Sequence, residues 1–334
     1  MLFSNPLPNE LCRGHLARLK ALNNARTRTD FIRLCKPLRP KATTYPWTER
    51  ISHVVVAQLS DMTGGQYRQR HSLLPIISMF RALTARNAQS DDKSGVYSNM
   101  MFNPQSASAK APIKLCSDCR DEDIGTHHLC YWHREHQIAG LDICPRHGSA
   151  LMTFSSDAPR RWPSPTNALG ASPDPLLIAA NQHPIVRRYQ RAALKLLGTP
   201  PIRAIHEIES RLTTLAYQKG LRNDSYGQIS GLSQYVGSRL PTAWSLAHLD
   251  YRRPEDPQVY RQWLHPVVEN QYYPKALKYL PYVATIRGHL LLLVLAALCD
   301  TVEEVITTLT EKVEQAPRCE LGAIGPHFTS SVAA

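Results

Sequence analysis

Three cysteines and one histidine form the pattern in this chain whose chemistry is easiest to interpret. Cys116 and Cys119 are separated by two residues, and so are Cys144 and His147, with residues 120–143 between the two pairs. Thiolate sulfur and imidazole nitrogen are the donors that Zn²⁺ prefers, and a two-residue gap lets both side chains of a pair reach one ion. Two such pairs in this order therefore predict one tetrahedral Cys3His zinc site.

The predicted zinc ion has a structural rather than a catalytic role. A catalytic zinc keeps one coordination position open for water or substrate, whereas four protein ligands close the shell. The acidic run that follows the first cysteine pair, Asp121, Glu122 and Asp123, offers acid/base candidates for a catalytic site. Such a run is also typical of a solvated turn or of the start of a helix, where carboxylates are favoured. We interpret the ion as structural and keep catalysis as the alternative.

Other side chains between the two pairs could also bind the metal. They are His127, His128, Cys130, His133 and His136. The intervening segment is longer than a usual zinc-ribbon loop, so the sequence predicts a helix within it, over Leu129–Ile138. The extra histidines leave a different hypothesis open, a zinc-dependent hydrolase or nuclease that uses them together with Glu135 or Asp123.

Composition and charge restrict the class of protein. The chain has 334 residues, of which 43% are hydrophobic and 20% charged, which is typical of a globular protein with two or three domains. Its formal net charge of +12 indicates a polyanionic partner, most often nucleic acid. A soluble protein that is merely basic is the alternative on charge alone.

The sequence predicts a cytoplasmic protein with no membrane span. The start of the chain lacks the charged and apolar pattern of a secretory signal. The longest apolar run, Leu290–Cys299, is ten residues long, whereas a bilayer requires about 20. Four of the eight cysteines lie between Cys116 and Cys144, and the others are scattered. In a reducing compartment, thiols paired in this way bind metal rather than form disulfides.

The N-terminal residues 1–85 are predicted to form a helical domain that resembles a helix-turn-helix. Ile51–Leu59 and Gln66–Leu73 are the two predicted helices, and Met62–Gly65 is the turn between them. The second helix carries the candidate DNA contacts Gln66, Arg68, Gln69 and Arg70. Arginine and glutamine can make paired hydrogen bonds to guanine and adenine edges. A helical hairpin with a polar outer face, without DNA binding, is the alternative.

The complete prediction is a mainly α protein with three parts: the helix-turn-helix-like domain, a small zinc-finger module and a C-terminal helical domain. A polar linker at 86–111, the module at 112–153 and a proline-rich linker at 154–175 precede the C-terminal domain at 176–320. The apolar run Leu290–Leu298 should be its central buried helix. Helices are predicted there at Pro184–Leu197, Arg203–Lys219, Gln228–Ser238, Thr242–Leu249, Pro257–Glu269, Ala276–Leu298 and Val302–Glu314.

The metal segment resembles the TniQ/TnsD family of transposon target-selection proteins. Its matching residues are Cys116-x-x-Cys119, Tyr131-Trp132-His133-Arg134 and Cys144-Pro145-x-His147-Gly148-x-x-Leu151. The opening Pro8-x-Glu10-Leu11 and the segment Thr63–Pro75 are also similar to family motifs. Ser117 and Ala139 stand where the family pattern has proline, but neither is a ligand position. A second zinc module, present in some relatives, is missing.

The resemblance implies a non-catalytic target selector that recruits an AAA+ transposition ATPase and a transposase. Shorter family members act as adaptors on a guide-RNA-directed Cascade effector complex, often as a homodimer, while base pairing supplies the sequence specificity. TnsD-like members instead read an attachment site in target DNA directly. The length of this chain favours the adaptor role, and its net charge favours direct DNA reading.

Overall fold

The structure, a computed structural model, describes residues 1–35, 55–56, 58–59, 61–77, 113–154, 165, 170–172, 174–199, 205–222, 231–245, 247–248 and 288–310. The predicted linker 86–111 and the predicted helix Pro257–Glu269 lie outside these residues. So do most of the predicted helix Ile51–Leu59 and most of the linker 154–175. The described residues are mainly helical, which confirms the predicted fold class.

The N-terminal part contains four described helices, α1 (Cys12–Leu22), α2 (Arg28–Cys35), α3 (Gly64–His71) and α4 (Leu74–Ile77). A capping box begins α3: the Thr63 hydroxyl accepts from the backbone N–H of Gln66, and the Gln66 side chain accepts from the backbone N–H of Thr63. The inner face of α3 buries Tyr67, whose hydroxyl donates to Nδ1 of His15 on α1 at 2.8 Å. This bond holds α3 against α1, while Gln66, Gln69 and Arg70 of α3 are exposed.

The module between the two cysteine pairs folds around a short two-stranded sheet. Strand β1 (Ile113–Leu115) pairs antiparallel with β2 (Met152–Phe154), with Ile113 opposite Phe154. Helix α5 (Ser117–His127) follows β1 directly and ends where His128 adopts a left-handed conformation with φ of 58°. A short 3₁₀ helix follows at Glu135–Gln137.

The prediction of a helix at Leu129–Ile138 is wrong. The backbone there pairs with the N-terminal segment instead: the N–H of Leu11 donates to the carbonyl of Trp132 at 2.7 Å, and the N–H of Arg134 donates to the carbonyl of Asn9 at 2.9 Å. These long-range hydrogen bonds hold residues 131–134 in a non-helical conformation. The helix of the module is α5, which starts inside the first cysteine pair.

The C-terminal part is helical, as predicted. Its described helices are α6 (Pro175–Ala180), α7 (Pro184–Gly198), α8 (Ile205–Gln218), α9 (Leu232–Gly237), α10 (Thr242–Ser245), α11 (Gly288–Leu298) and α12 (Val302–Thr310). The prediction of a central apolar helix is confirmed, because Leu292, Leu295 and Leu298 of α11 are fully buried. Helix α7 packs against both α11 and α12.

The metal-bearing module shares its hydrophobic core with these C-terminal helices. Ile138, Leu141 and Leu151 of the module belong to the same buried cluster as the apolar faces of α7 and α11. At Gly140 (φ of 74°), the ring of Trp244 occupies the space that a Cβ would need. The indole N–H of Trp244 donates to the Gly140 carbonyl at 3.0 Å. The domain limits inferred from the sequence stay predictions.

No helix in the described part of the chain combines the length and apolarity needed to cross a membrane.

Candidate metal centre

The four predicted ligands meet at one point of the structure. Cys116 lies at the end of β1 and precedes α5, and Cys119 lies in the first turn of α5. Cys144 and His147 lie in a tight turn closed by a hydrogen bond from the Gly148 N–H to the Cys144 carbonyl at 2.9 Å. Gly148 has φ of 71°, a conformation that glycine adopts without strain. The three sulfur atoms and one imidazole nitrogen all lie within 4.8 Å of one another.

The separations between these atoms fit a tetrahedral zinc ion. Nδ1 of His147 lies 3.6 Å from the sulfur of Cys116, 3.4 Å from that of Cys119 and 3.7 Å from that of Cys144. The sulfurs of Cys119 and Cys144 are 3.7 Å apart. Zinc bond lengths place tetrahedral donors about 3.8 Å apart for two sulfurs and about 3.6 Å apart for sulfur and nitrogen. The residues therefore suit one ion of this size and preference.

Metal binding depends on the protonation state of the cysteine ligands. The hydrogen bond with Cys144, together with burial, raises the pKa of Cys119 far above its ordinary value. The same hydrogen bond lowers the pKa of Cys144. A zinc ion binds thiolates, so its binding displaces thiol protons and weakens as the pH falls.

Glu122 orients the histidine ligand. Its Oε1 accepts from Nε2 of His147 at 2.8 Å, and its Oε2 accepts from Nη2 of Arg146 at 2.7 Å. Because the proton of His147 is then on Nε2, the Nδ1 lone pair faces the three sulfurs. A carboxylate behind a histidine ligand commonly fixes the tautomer and ring orientation in zinc sites. The sequence alone did not assign this role to Glu122, although its position three residues after Cys119 places both on one face of α5.

His136 contacts the cluster from outside. Its Nε2 lies 3.6 Å from the sulfurs of both Cys119 and Cys144, and its ring is fully buried. Because the thiolates of a loaded site carry negative charge, an Nε2 proton in this position donates to both sulfurs. A donor of this kind stabilises the two thiolates in addition to the metal.

The other rival ligands lie outside the four-residue cluster. His133 instead pairs with Asp123 through Nε2 and Oδ2 at 2.9 Å, and both side chains are almost completely buried. The ring of His127 packs edge-on against Tyr131, and His128 ends α5. Cys130 is buried in the same segment. Among the described residues, the ligand cluster consists of the four predicted side chains.

A comparison with known families agrees with this arrangement. Residues 1–151 match the model of the family described as TniQ. This match covers slightly less than half of the chain and supports membership of the TniQ/TnsD family. The matched TniQ region contains α1 to α5 and all four candidate ligands, and it ends just before β2. No curated protein gave a significant match to the chain. The TniQ region supports a role in transposon-associated target selection.

The predicted DNA contacts also lie in the TniQ region, on α3. The side chains of Gln69 and Arg70 are exposed. Gln66 is exposed too, but its amide oxygen is used in the capping box of α3. The structure does not describe the side chain of Arg68. Whether α3 contacts DNA stays a prediction.

A second polar cluster of the module lies on the side that faces the C-terminal helices. Asp142 accepts from Lys114 Nζ at 2.8 Å through Oδ1, and from His248 Nε2 at 2.7 Å and Asn181 Nδ2 at 3.0 Å through Oδ2. Lys114 also donates to the Leu141 carbonyl at 2.6 Å. Burial opposes the charge on Asp142, but Lys114 and His248 outweigh it and hold its pKa well below the ordinary value. We call these four side chains the Asp142 cluster.

Proposed function

We propose that this TniQ-family protein is the non-catalytic target-selection adaptor of a DNA transposon. In this role it links a guide-RNA Cascade effector complex to an AAA+ transposition regulator and to the transposase. The observation that carries the proposal is the TniQ match over residues 1–151, which includes every candidate metal ligand. In such a system base pairing selects the sequence, and the adaptor positions the integration machinery beside it.

In this proposal the zinc ion is structural. Cys116, Cys119, Cys144 and His147 would hold it, and four protein donors complete a tetrahedral shell. When bound, the ion supplies a cross-link between the start of α5 and the 144–147 turn. The proposed zinc-finger module, 112–153, thereby fixes the N-terminal and C-terminal helices relative to each other. Macromolecular partners then meet one defined helical surface.

Co-purification from a reconstituted system tests the adaptor role. We expect the tagged protein to retain both the AAA+ ATPase and the guide-RNA effector complex from the same transposon. Light scattering of the purified protein tests the homodimer that the adaptor mode implies. Retention of neither partner in the presence of guide RNA and nucleotide would refute the adaptor function.

Direct recognition of an attachment site is the alternative, supported by the exposure of Gln69 and Arg70 on a well-capped helix. Gel shifts with target duplexes separate the two modes. Tight sequence-specific binding by the isolated protein indicates direct reading, with each mismatched base pair costing about 1–3 kcal/mol. Preference for the target over other duplexes only in the presence of the effector complex indicates the adaptor.

A zinc-dependent hydrolase or nuclease is the remote alternative. The buried His133–Asp123 pair is its best structural basis, since a histidine and a carboxylate in contact can exchange protons with a substrate. However, these two side chains are 2% and 5% exposed, which leaves a substrate little access. Nuclease assays with added divalent metal test this function. Turnover that disappears in a folded Cys144→Ala variant would favour it over the adaptor.

A further inference from the structure

Helix α7 has two chemically different faces. Its inner face is buried against the core and includes Val186, Ala193 and Leu196. Its outer face presents Arg187, Arg191 and Lys195, all exposed and spaced four residues apart, so that they form one line along the helix. We call these three residues the α7 stripe. No residue of α7 itself is acidic.

This charge pattern weakens the isolated helix rather than strengthening it. Exposed helix faces usually mix signs, because opposite charges four residues apart attract and like charges repel. Lys195 has a compensating partner, Glu303 of α12, at 2.9 Å. Among the described residues, no carboxylate lies within ion-pair distance of Arg187 or Arg191. The Glu303 carboxylate also attracts Arg191, but from beyond ion-pair distance. Two guanidinium groups with no carboxylate in contact are therefore available for an anionic partner.

The stripe is held on a rigid support. The half-buried Arg188, next to Arg187, donates through Nη1 to the carbonyl of Ala296 in α11. Helix α7 also packs against α12 as well as α11, and its inner face belongs to the main core. A charged surface fixed in this way loses little conformational freedom when it binds.

We propose that the α7 stripe binds the sugar–phosphate backbone of duplex DNA. Its three cations span about 12 Å at a helical rise of 1.5 Å per residue. Over that length one DNA strand carries three or four phosphates. Contacts of this type are independent of base sequence and set the position and orientation of a protein on the duplex. The stripe lies outside the matched residues 1–151, so the family match does not assign this role.

The position of α7 relative to α3 supports this choice of partner. Arg134 of the module donates to the carbonyls of Gln69 and Ser72 at the end of α3, and to the carbonyl of Leu197 at the end of α7. The buried guanidinium of Arg134 thus connects the C-terminal end of α3, which carries the candidate base contacts, with the C-terminal end of α7, which carries the α7 stripe. The inference deepens the proposed function by adding the DNA backbone as a direct partner. An acidic protein surface is the competing occupant, and the experiment distinguishes the two.

The test measures binding of the full-length protein to a labelled duplex of arbitrary sequence by fluorescence anisotropy over a range of salt concentrations. The Arg187→Gln/Arg191→Gln variant should bind about tenfold more weakly at low salt. Its plot of log affinity against log salt concentration should become shallower by about 0.9 for each arginine removed. The Arg187→Lys/Arg191→Lys variant keeps both charges and should retain most of the affinity. Arg222→Gln removes an exposed charge elsewhere and should leave the slope unchanged.

Three outcomes would overturn the proposal. The first is equal duplex affinity and equal salt slope for the wild type and the double glutamine variant. The second is no salt-dependent duplex binding by the wild type. The third is unchanged DNA binding with lost retention of the AAA+ ATPase, which would assign the stripe to an acidic protein partner. Melting curves of all variants control for folding, and the lysine variant controls for the loss of the arginine side chains. Co-purification with the effector complex reports separately on the adaptor function.

Discussion

The metal-binding module contains two polar clusters that solve the same problem in different ways. In the metal cluster of Cys116, Cys119, Cys144 and His147, three sulfurs and one nitrogen, all metal donors, face a common centre. In the Asp142 cluster, a carboxylate already has a lysine, a histidine and an amide as partners. The comparison teaches that a buried polar cluster indicates a metal site when its donors are alike and converge. A cluster whose charges and hydrogen bonds are already satisfied by protein groups stabilises the fold without a metal ion.

The largest expected effect comes from breaking the metal cluster. A Cys119→Ser variant should lose stoichiometric zinc, and the module should unfold, because structural zinc contributes roughly 10–16 kcal/mol in small zinc domains. Elemental analysis and thermal unfolding measure both effects. Cys130→Ser is a matched control, since Cys130 is buried in the same segment but lies outside the cluster. Unchanged zinc content in the Cys119 variant would show that the ligands are assigned wrongly.

Breaking the Asp142 cluster should reduce stability without removing the metal. Lys114→Met leaves the Asp142 carboxylate buried without its cation, and removing one partner of a buried pair typically costs about 3–5 kcal/mol. Denaturant unfolding of zinc-loaded protein measures the loss. The Lys114→Met/Asp142→Leu variant should recover part of it, because the uncompensated charge is gone. Loss of zinc from the single variant under native conditions would mean that the two clusters are not independent.

The next effect concerns the histidine beside the sulfurs. His136→Phe keeps a buried ring but removes the Nε2 donor that faces Cys119 and Cys144. Outer partners of metal ligands typically contribute about 10–100-fold in metal affinity, and a buried donor should act near the upper end. Competition with a coloured chelator measures the zinc affinity. If zinc content falls to zero instead, His136 is itself a ligand and His147 has to be reassigned.

The smallest expected effect is at Glu122. Glu122→Gln removes the charge behind His147, and we expect zinc affinity to fall by about tenfold, because the carboxylate is half-exposed and its interaction is screened by solvent. Asp121→Asn is the matched control, since Asp121 is an exposed neighbour whose ion pair is with Arg120. Chelator competition at constant pH compares the two variants. Equal zinc affinities of the Glu122→Gln and Asp121→Asn variants would show that Glu122 does not support the histidine ligand.

Local spacing was enough to predict some features of this molecule. Two residues between Cys116 and Cys119, and between Cys144 and His147, define a pair regardless of the rest of the fold. The apolar run in α11 likewise predicts its own burial, because no face of it is suited to water. These features depend on neighbours in the sequence, so one sequence can indicate them.

Features that depend on distant segments could not be predicted. The segment around Trp132 has a helical pattern, yet hydrogen bonds to residues 9–11 hold it in a non-helical form. The partners of Asp142 come from positions 114, 181 and 248, which no local spacing connects. Glu122 is intermediate: its distance of three residues from Cys119 could have indicated its role once α5 was placed correctly.

The contact between Gly140 and Trp244 has a practical consequence for expression of the protein in parts. A fragment ending at Leu151, the limit of the family match, would retain the glycine but lose the indole that covers it. Ile138 and Leu141 would then face water, and Asp142 would lose His248 and Asn181. We therefore expect such a fragment to aggregate even when supplied with zinc. Partner-binding studies should start from the intact chain.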